Sequence, residues 1–420
     1  MTVMIKGGPL SGAVSAVPSK SDMHRVMICS AFADGPTRIS ACGELPDDVG
    51  ATLRCLSALG VGIERNDDGV TVTPAKSTPD RTELFVGQSG STFRFLVPVA
   101  ASLGVTADFI TEGRLGSRPM EPLIEALAAH GAKFETPKKG VLRVGGKLTG
   151  NEYAIRADVS SQYISGILFA LAVTGGGYVR LTGKTESAGY IEMTLDTLSR
   201  FGIGTEFKDG TISVSGKLKS PGSVSVEGDW SGAAFWLCAG AACGGITIDG
   251  LSPSSRQGDR AIVDILRRMG ASVEIKDGAV TASGCDLHGI ELDAADIPDL
   301  VPPVAALAAV SKGVTVVRGA SRLRAKESDR LAALASSLGA LGADIKETED
   351  GLLIHGKEKL PGGAADSFSD HRIAMAVAVA SVRSGKITLS GAESVAKSYP
   401  GFWDDFQKLR GDVKITEDLR

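Results

Sequence analysis

The sequence is poor in paired cysteines, aromatic rings and long apolar runs, and it has no large excess of one charge. Each shortage removes a class of protein. Six cysteines in 420 residues (29, 42, 55, 238, 243 and 285) form no CxxC pair and no framework spacing. That pattern reads as free, buried thiols in a reducing compartment. Seventeen prolines against 53 glycines fit many short turns and exclude a collagen-like or disordered chain. The longest apolar windows, such as Ile373 to Val382, fall far short of the ~20 residues that a membrane span needs. The opening MTVMIKGGPL lacks the basic, apolar and small-residue regions of a secretory signal. A net charge of −4 argues against a general nucleic-acid binder, although a cleft can focus a field opposite to the overall charge. No GxGxxG, HExxH or GxSxG occurs, and the five histidines are scattered without ligand spacing. The stretch from Gly177 to Gly183-Lys184-Thr185 misses a phosphate loop by one residue too many between its glycines. The expectation is a soluble, cytoplasmic protein without nucleotide hydrolysis, catalytic metal or cofactor.

What is present is repetition. Six short polar steps open apolar, Ala-rich stretches of helical length: Ser21-Asp22, Ser89-Gly90-Ser91, Ser160-Ser161-Gln162, Asp229-Trp230-Ser231, Asp299 and Ser369-Asp370. Counted from 21, 89, 160, 229, 299 and 370, the intervals are 68, 71, 69, 70 and 71 residues. So steady a period implies one supersecondary unit used six times. A second amphipathic stretch follows in each copy (DVGATLRCLSALG, EPLIEALAAHG, IEMTLDTLSRFG), stops at Gly and gives way to strand-like alternation. In the sixth copy Pro400 to Leu409 reads as a short helix before DVKIT. Three units make a domain of ordinary size. The predicted fold is therefore α/β (α+β) with two domains, residues 16–227 and residues 1–15 plus 228–420. The segment before the first helix lends a strand to the second domain. The chain then crosses twice, near 15–20 and 225–229, which predicts a hinge and a ligand cleft.

Ser and Asp are helix N-caps, and helix N-termini attract anions. Several of these openings also carry cations. Lys20 and Arg25 stand one turn apart in Val17-Pro18-Ser19-Lys20-Ser21-Asp22-Met23-His24-Arg25. Arg114 and Arg118 share a Gly-containing loop, and Ser160, Ser161, Gln162 and Tyr163 gather two hydroxyls and an amide. Arg322, Arg324, Lys326 and Arg330 crowd a helix opening, where cations are ordinarily unfavourable, and Asp370-His371-Arg372 repeats the conflict. A bound polyanion resolves it.

These motifs resemble the 5-enolpyruvylshikimate-3-phosphate synthase family of enolpyruvyl transferases. SKSDMHR, GQSGSTFR, GRLGSRP, SSQY, ESAGY, IPD, RAKESDR, SDHRIAM and KSYP span the chain in the family's order. The resemblance implies two domains of three βαβαββ repeats, an inside-out α/β barrel-like arrangement, closing over the substrates. It also implies transfer of the enolpyruvyl group of phosphoenolpyruvate to the 5-hydroxyl of shikimate 3-phosphate, with release of phosphate. That chemistry needs a base at the hydroxyl, an acid at the methylene and cations around the anions. By resemblance Asp299 is the base, and Glu327 and Lys20 move protons at the enolpyruvyl carbon. Lys20, Ser21, Arg25, Ser160, Ser161, Gln162, Ser187, Asp299 and Lys326 would hold shikimate 3-phosphate, with Tyr190 against its ring. Lys20, Gly90, Arg118, Gln162, Arg330, Arg372 and Lys397 would hold phosphoenolpyruvate, assisted by Arg114. Glyphosate is the implied inhibitor and a monomer the expected state.

Gln88, Ser91, Phe95 and Arg322 depart from the family's commonest residues, which bears on glyphosate response and not on any catalytic group. The sister family acting on UDP-N-acetylglucosamine is the alternative, but it carries a Cys in the loop that here reads Gly113-Arg114-Leu115-Gly116-Ser117. A non-catalytic binder of phosphorylated metabolites is disfavoured, because Asp299 and Glu327 among so many cations weaken simple anion capture.

Overall fold

Ser19, Ser89, Ser160, Asp229 and Asp370 all sit in extended backbone, and each side chain accepts a hydrogen bond from a backbone N–H two or three residues ahead. They start α1 (Lys20–Ala31), α3 (Gly90–Leu103), α5 (Ser161–Thr174), α7 (Trp230–Cys243) and α11 (His371–Ala380). The periodic polar steps are therefore caps, with two differences from expectation. The first cap is Ser19, ahead of Ser21. Asp299 caps nothing: it lies in the 3-10 turn Pro298–Leu300 that leads into α9 (Val301–Ala308), which leaves its carboxylate for other partners. The second helices are α2 (Asp47–Ala58), α4 (Glu121–Ala128), α6 (Ala188–Arg200), α8 (Ile262–Arg268), α10 (Arg330–Ala340) and α12 (Phe402–Lys408).

This is a computed structural model, and it describes residues 1–41, 43–284 and 286–416. The described strands form six four-stranded sheets. In the third copy Glu152–Arg156 pairs in parallel with Gly176–Thr182, which pairs antiparallel with Thr211–Ser215, itself antiparallel to Gly204–Lys208. The second and fifth copies follow the same βαβαββ order. The first and fourth exchange their leading strands. Gly12–Ser15 pairs in parallel with Ile246–Asp249 of copy four, and Ser223–Ser225 pairs with Thr37–Ser40 of copy one. The N-terminal segment lends a second strand as well, because Thr2–Lys6 lies between Ile387–Ser390 and Asp412–Thr416 in the sheet of copy six.

The chain divides into two units, Met1–Val17 with Glu227–Arg420, and Pro18–Val226. Each has its own apolar core. In each, three first helices are buried nearly all round (α1, α3 and α5 in one, α7, α9 and α11 in the other), as expected of helices without a solvent face. Inside α3, Pro98 has no N–H to give the carbonyl of Arg94. Gly166 packs against that carbonyl, where a Cβ would come within 2.3 Å of the oxygen. Cys29, Cys55 and Cys238 are buried free thiols as expected, and Cys243 is half-buried. Cys42 and Cys285 lie outside the described residues.

Candidate active site

In the unit of residues 18–226, the openings of α1, α3, α5 and α6 and the loop before α4 carry the predicted site residues. Lys20 Nζ donates to Asp48 Oδ2 at 2.9 Å, tying the start of α1 to that of α2. Arg25 is wholly buried. Its fork donates to the Ser21 carbonyl (2.6 Å), the Tyr190 carbonyl (3.0 Å) and Thr194 Oγ1 (2.9 Å), and its carbon lies 5.2 Å from the Phe95 ring centroid. Burial pulls this guanidinium down to about 10, against the opposing pull of Tyr190 and Asp22. Arg25 thus fixes the backbone turns that carry Ser21 and Tyr190. Ser187, at the start of α6, is buried and holds a left-handed conformation (φ 55°).

Close helix packing brings together Gly90, Ser91 and Arg94 of α3 with Gln162 of α5. Arg94 donates to Gln162 Oε1 (2.9 Å), and Gln162 Nε2 donates to Ser91 Oγ (3.0 Å). Around Gly90 a Cβ would meet Arg94 Nη1 at 2.8 Å and Arg118 Nη1 at 3.3 Å. Two guanidinium tips therefore flank a helix N-terminus stripped of its side chain, a layout suited to an oxyanion. Arg114 is exposed in the same loop as Arg118.

In the other unit the openings of α9, α10 and α11 converge on Arg330, which is 2% exposed. Its Nε donates to Asp370 Oδ2 (2.8 Å), Nη1 to Asp299 Oδ1 (2.9 Å) and Nη2 to Glu327 Oε2 (2.6 Å). Burial works against this charge, but Asp370, Glu327 and Asp299 together outweigh it and hold the guanidinium above its ordinary value. Arg372 Nη1 donates to the Asp299 carbonyl (3.1 Å), and Nη2 lies 3.3 Å from Asp299 Oδ2. Lys326 is pulled down to about 8 by burial, partly offset by Asp299. Lys397 Nζ donates to the Ser369 carbonyl (2.7 Å), held in place by consecutive left-handed residues, Phe368 and Ser369. Asp259 is raised to about 7 by burial first and Asp299 second, and it accepts a hydrogen bond from Ser231.

The residue types and their distribution are those of an anion-handling centre with carboxylates for proton transfer. A model of the family described as EPSP synthase (3-phosphoshikimate 1-carboxyvinyltransferase) matches residues 4–406. The chain belongs to the EPSP synthase family. It is 40% identical over 418 residues to the 3-phosphoshikimate 1-carboxyvinyltransferase of Clostridium kluyveri, covering 98% of both chains. The enzyme of the same name from Clostridium acetobutylicum is 40% identical over 414 residues, 96% of each chain. Among solved structures, an EPSP synthase from Acinetobacter baumannii matches with a TM-score of 0.80 and 29% identity, covering 99% of this chain and 100% of that one.

Against the residues expected for this family, the structure gathers Gly90, Arg118 and Gln162 at one opening and Ser160 with Ser161 beside them. It gathers Asp299, Lys326, Glu327, Arg330 and Arg372 around one buried guanidinium. The charge cluster at 322–330 does not act as one group: Arg324 turns to Glu347 (2.7 Å) and Asp329 (3.2 Å), away from Arg330. Three residues were missed. Asp48 stands in the first turn of a helix and reads as a solvated acid, yet it holds Lys20. Arg94 is an arginine inside the apolar run TFRFLV, and that setting is the signal that could have found it. Asp259 lies in the short 3-10 turn Gly258–Ala261, with no motif of its own. Among the described residues no group of His, Cys, Asp and Glu is arranged to hold a metal ion, and no helix is long and apolar enough to cross a membrane.

Proposed function

We propose that the chain transfers the enolpyruvyl group of phosphoenolpyruvate to the 5-hydroxyl of shikimate 3-phosphate, and that the residues above divide the work. The observation that carries this is the Arg330 centre: one buried guanidinium paired with Asp299, Glu327 and Asp370, with Arg372 on Asp299. A substrate anion competes with those carboxylates for Arg330 and Arg372. As it takes the cations, the Asp299 and Glu327 carboxylates exchange these ion pairs for contact with the substrate.

Asp299 accepts the proton of the 5-hydroxyl as that oxygen bonds to C2 of the enol phosphate, and Glu327 or Lys20 delivers a proton to C3. The tetrahedral adduct then loses phosphate by breaking the C2–O bond, and a proton leaves the new methyl group to restore the double bond. Gly90, Arg118, Gln162, Arg330, Arg372 and Lys397, with Arg114 assisting, balance the phosphoenolpyruvate charges. Lys20, Ser21, Ser160, Ser161, Ser187 and Lys326 hold shikimate 3-phosphate, while Arg25 fixes the turns of Ser21 and Tyr190. Each set draws residues from both units: Gly90, Arg118 and Gln162 with Arg330, Arg372 and Lys397 in one, and Lys20, Ser21, Ser160, Ser161 and Ser187 with Lys326 in the other. We further propose glyphosate as an inhibitor that competes with phosphoenolpyruvate, no cofactor, a monomeric state and a cytoplasmic location. Phosphate release in the presence of phosphoenolpyruvate and either shikimate 3-phosphate or UDP-N-acetylglucosamine tests the assignment. Turnover with the nucleotide sugar would move the chain to the sister activity, and tight binding without turnover would make it a binder only.

A further inference from the structure

One helical turn behind Lys20 and Asp48 lies a row of wholly buried polar side chains that no step above uses. His24 Nδ1 is 2.7 Å from Thr52 Oγ1, Thr52 Oγ1 is 2.6 Å from Thr92 Oγ1, and Thr92 Oγ1 is 2.7 Å from Ser89 Oγ. Thr92 Oγ1 also donates to the Asp48 carbonyl at 3.3 Å. His24 follows Lys20 by four residues on α1, and Thr52 follows Asp48 by four on α2, so each pair shares a helix face. The Lys20–Asp48 ion pair is one rung between these helices. The buried row is a second rung, extended to the cap of α3 beside Gly90.

The proton order follows from satisfaction. His24 Nε2 is buried and has no hydrogen-bond partner. A hydrogen on Nε2 would be a stranded donor, whereas a bare lone pair there costs less. The proton therefore sits on Nδ1 and is given to Thr52, Thr52 donates to Thr92, Ser89 donates to Thr92, and Thr92 donates to the Asp48 carbonyl. Every hydroxyl is then used, and Thr92 is saturated with two acceptances and one donation. Burial first, and then Lys20 and Arg25, hold the imidazole well below its ordinary value, which agrees with a neutral ring.

We propose that the His24–Thr52–Thr92–Ser89 row is a positioning device that sets Lys20 and the Gly90 opening of α3 relative to each other for phosphoenolpyruvate. The inference rests on the assignment of Lys20 and Gly90 to that substrate. None of the four touches substrate; they act by fixing the starts of three helices, so losing one hydroxyl loosens all three.

The test compares Thr92→Val, Thr52→Val and Thr92→Ser with Ser102→Ala, which removes a buried hydroxyl at the far end of α3. Thr92→Val and Thr52→Val should lower kcat/KM for phosphoenolpyruvate by about three- to tenfold, the scale of one or two net hydrogen bonds. Thr92→Ser should restore it, and Ser102→Ala should leave it unmoved at a comparable loss of thermal stability. If both valine variants stay within about twofold of wild type while Gly90→Ala raises KM for phosphoenolpyruvate, the positioning role is refuted and the site assignment stands. If Gly90→Ala is also silent, the site assignment fails and takes the positioning role with it. Should the valine variants not fold, nitrogen NMR of the wild type decides: a neutral His24 ring protonated at Nδ1 supports the row, and a proton on Nε2 or a charged ring overturns it.

Discussion

Gly90→Ala gives a quantitative test of the oxyanion half of the site. The new Cβ would lie 2.8 Å from Arg94 Nη1, 3.3 Å from Arg118 Nη1 and 3.8 Å from Gln162 Oε1. An unstrained carbon–nitrogen contact is about 3.5 Å, so the Arg94 tip must retreat by roughly 0.7 Å. That movement strains the 2.9 Å hydrogen bond it makes to Gln162, whose loss sets the upper limit of the cost. Losing one charge-assisted bond costs about 1.5–3 kcal/mol, and replacing a helical Gly by Ala returns up to about 1 kcal/mol. Stability should therefore fall only slightly, by a few degrees in Tm. Function should suffer more, because the methyl and both displaced guanidinium tips stand at the position proposed for the anion. Overpacking of this kind costs about 1–3 kcal/mol, which corresponds to roughly 5- to 150-fold in kcat/KM for phosphoenolpyruvate. Phosphate release measured against phosphoenolpyruvate at saturating shikimate 3-phosphate reads this directly. Glyphosate should compete with phosphoenolpyruvate in the wild type and inhibit the variant less. Unchanged KM and unchanged glyphosate inhibition would refute the placement of Gly90 beside the anion.

Asp299→Ala should lower kcat by about 10² or more with little change in substrate affinity, as for loss of a positioned base, and near-normal turnover would rule that role out. Lys326 releases its proton near pH 8 in the folded chain and near 10.5 when unfolded, so it adds stability as pH rises between those values, while the charge proposed to hold the substrate phosphate is lost. Accordingly kcat/KM for shikimate 3-phosphate should fall about tenfold per unit above pH 8, and Lys326→Arg should abolish that limb; a flat wild-type profile to pH 10 would contradict it.

The parts of the fold visible in the sequence are those that act locally. Caps at Ser89, Ser160, Asp229 and Asp370 precede apolar helices because a side-chain oxygen must serve the first free N–H groups, and that need repeats with the unit. The strand exchange was not visible in full. Gly12–Ser15 and Ser223–Ser225 are strands of four and three residues whose partners lie 234 and 185 residues away (Gly12 to Ile246, Ser223 to Arg38). Alternation in so short a segment states which face is buried and not which strand it meets. The site divides in the same way. Lys20, Gly90, Gln162, Arg330 and Arg372 stand in recognisable motifs, but Arg94 gains meaning only from Gln162, 68 residues on. Likewise His24 and Thr52 look like ordinary helix interior until Thr92 joins them. Cation density misled at Arg324, whose partners come from the following helix cap and a strand.

The most direct test of the central claim is phosphate release by the purified protein with phosphoenolpyruvate and shikimate 3-phosphate, with UDP-N-acetylglucosamine in a parallel reaction. The account predicts one phosphate released per enolpyruvyl ether formed on the shikimate 5-hydroxyl, and none with the nucleotide sugar. Silence with shikimate 3-phosphate, or turnover with UDP-N-acetylglucosamine, would contradict it.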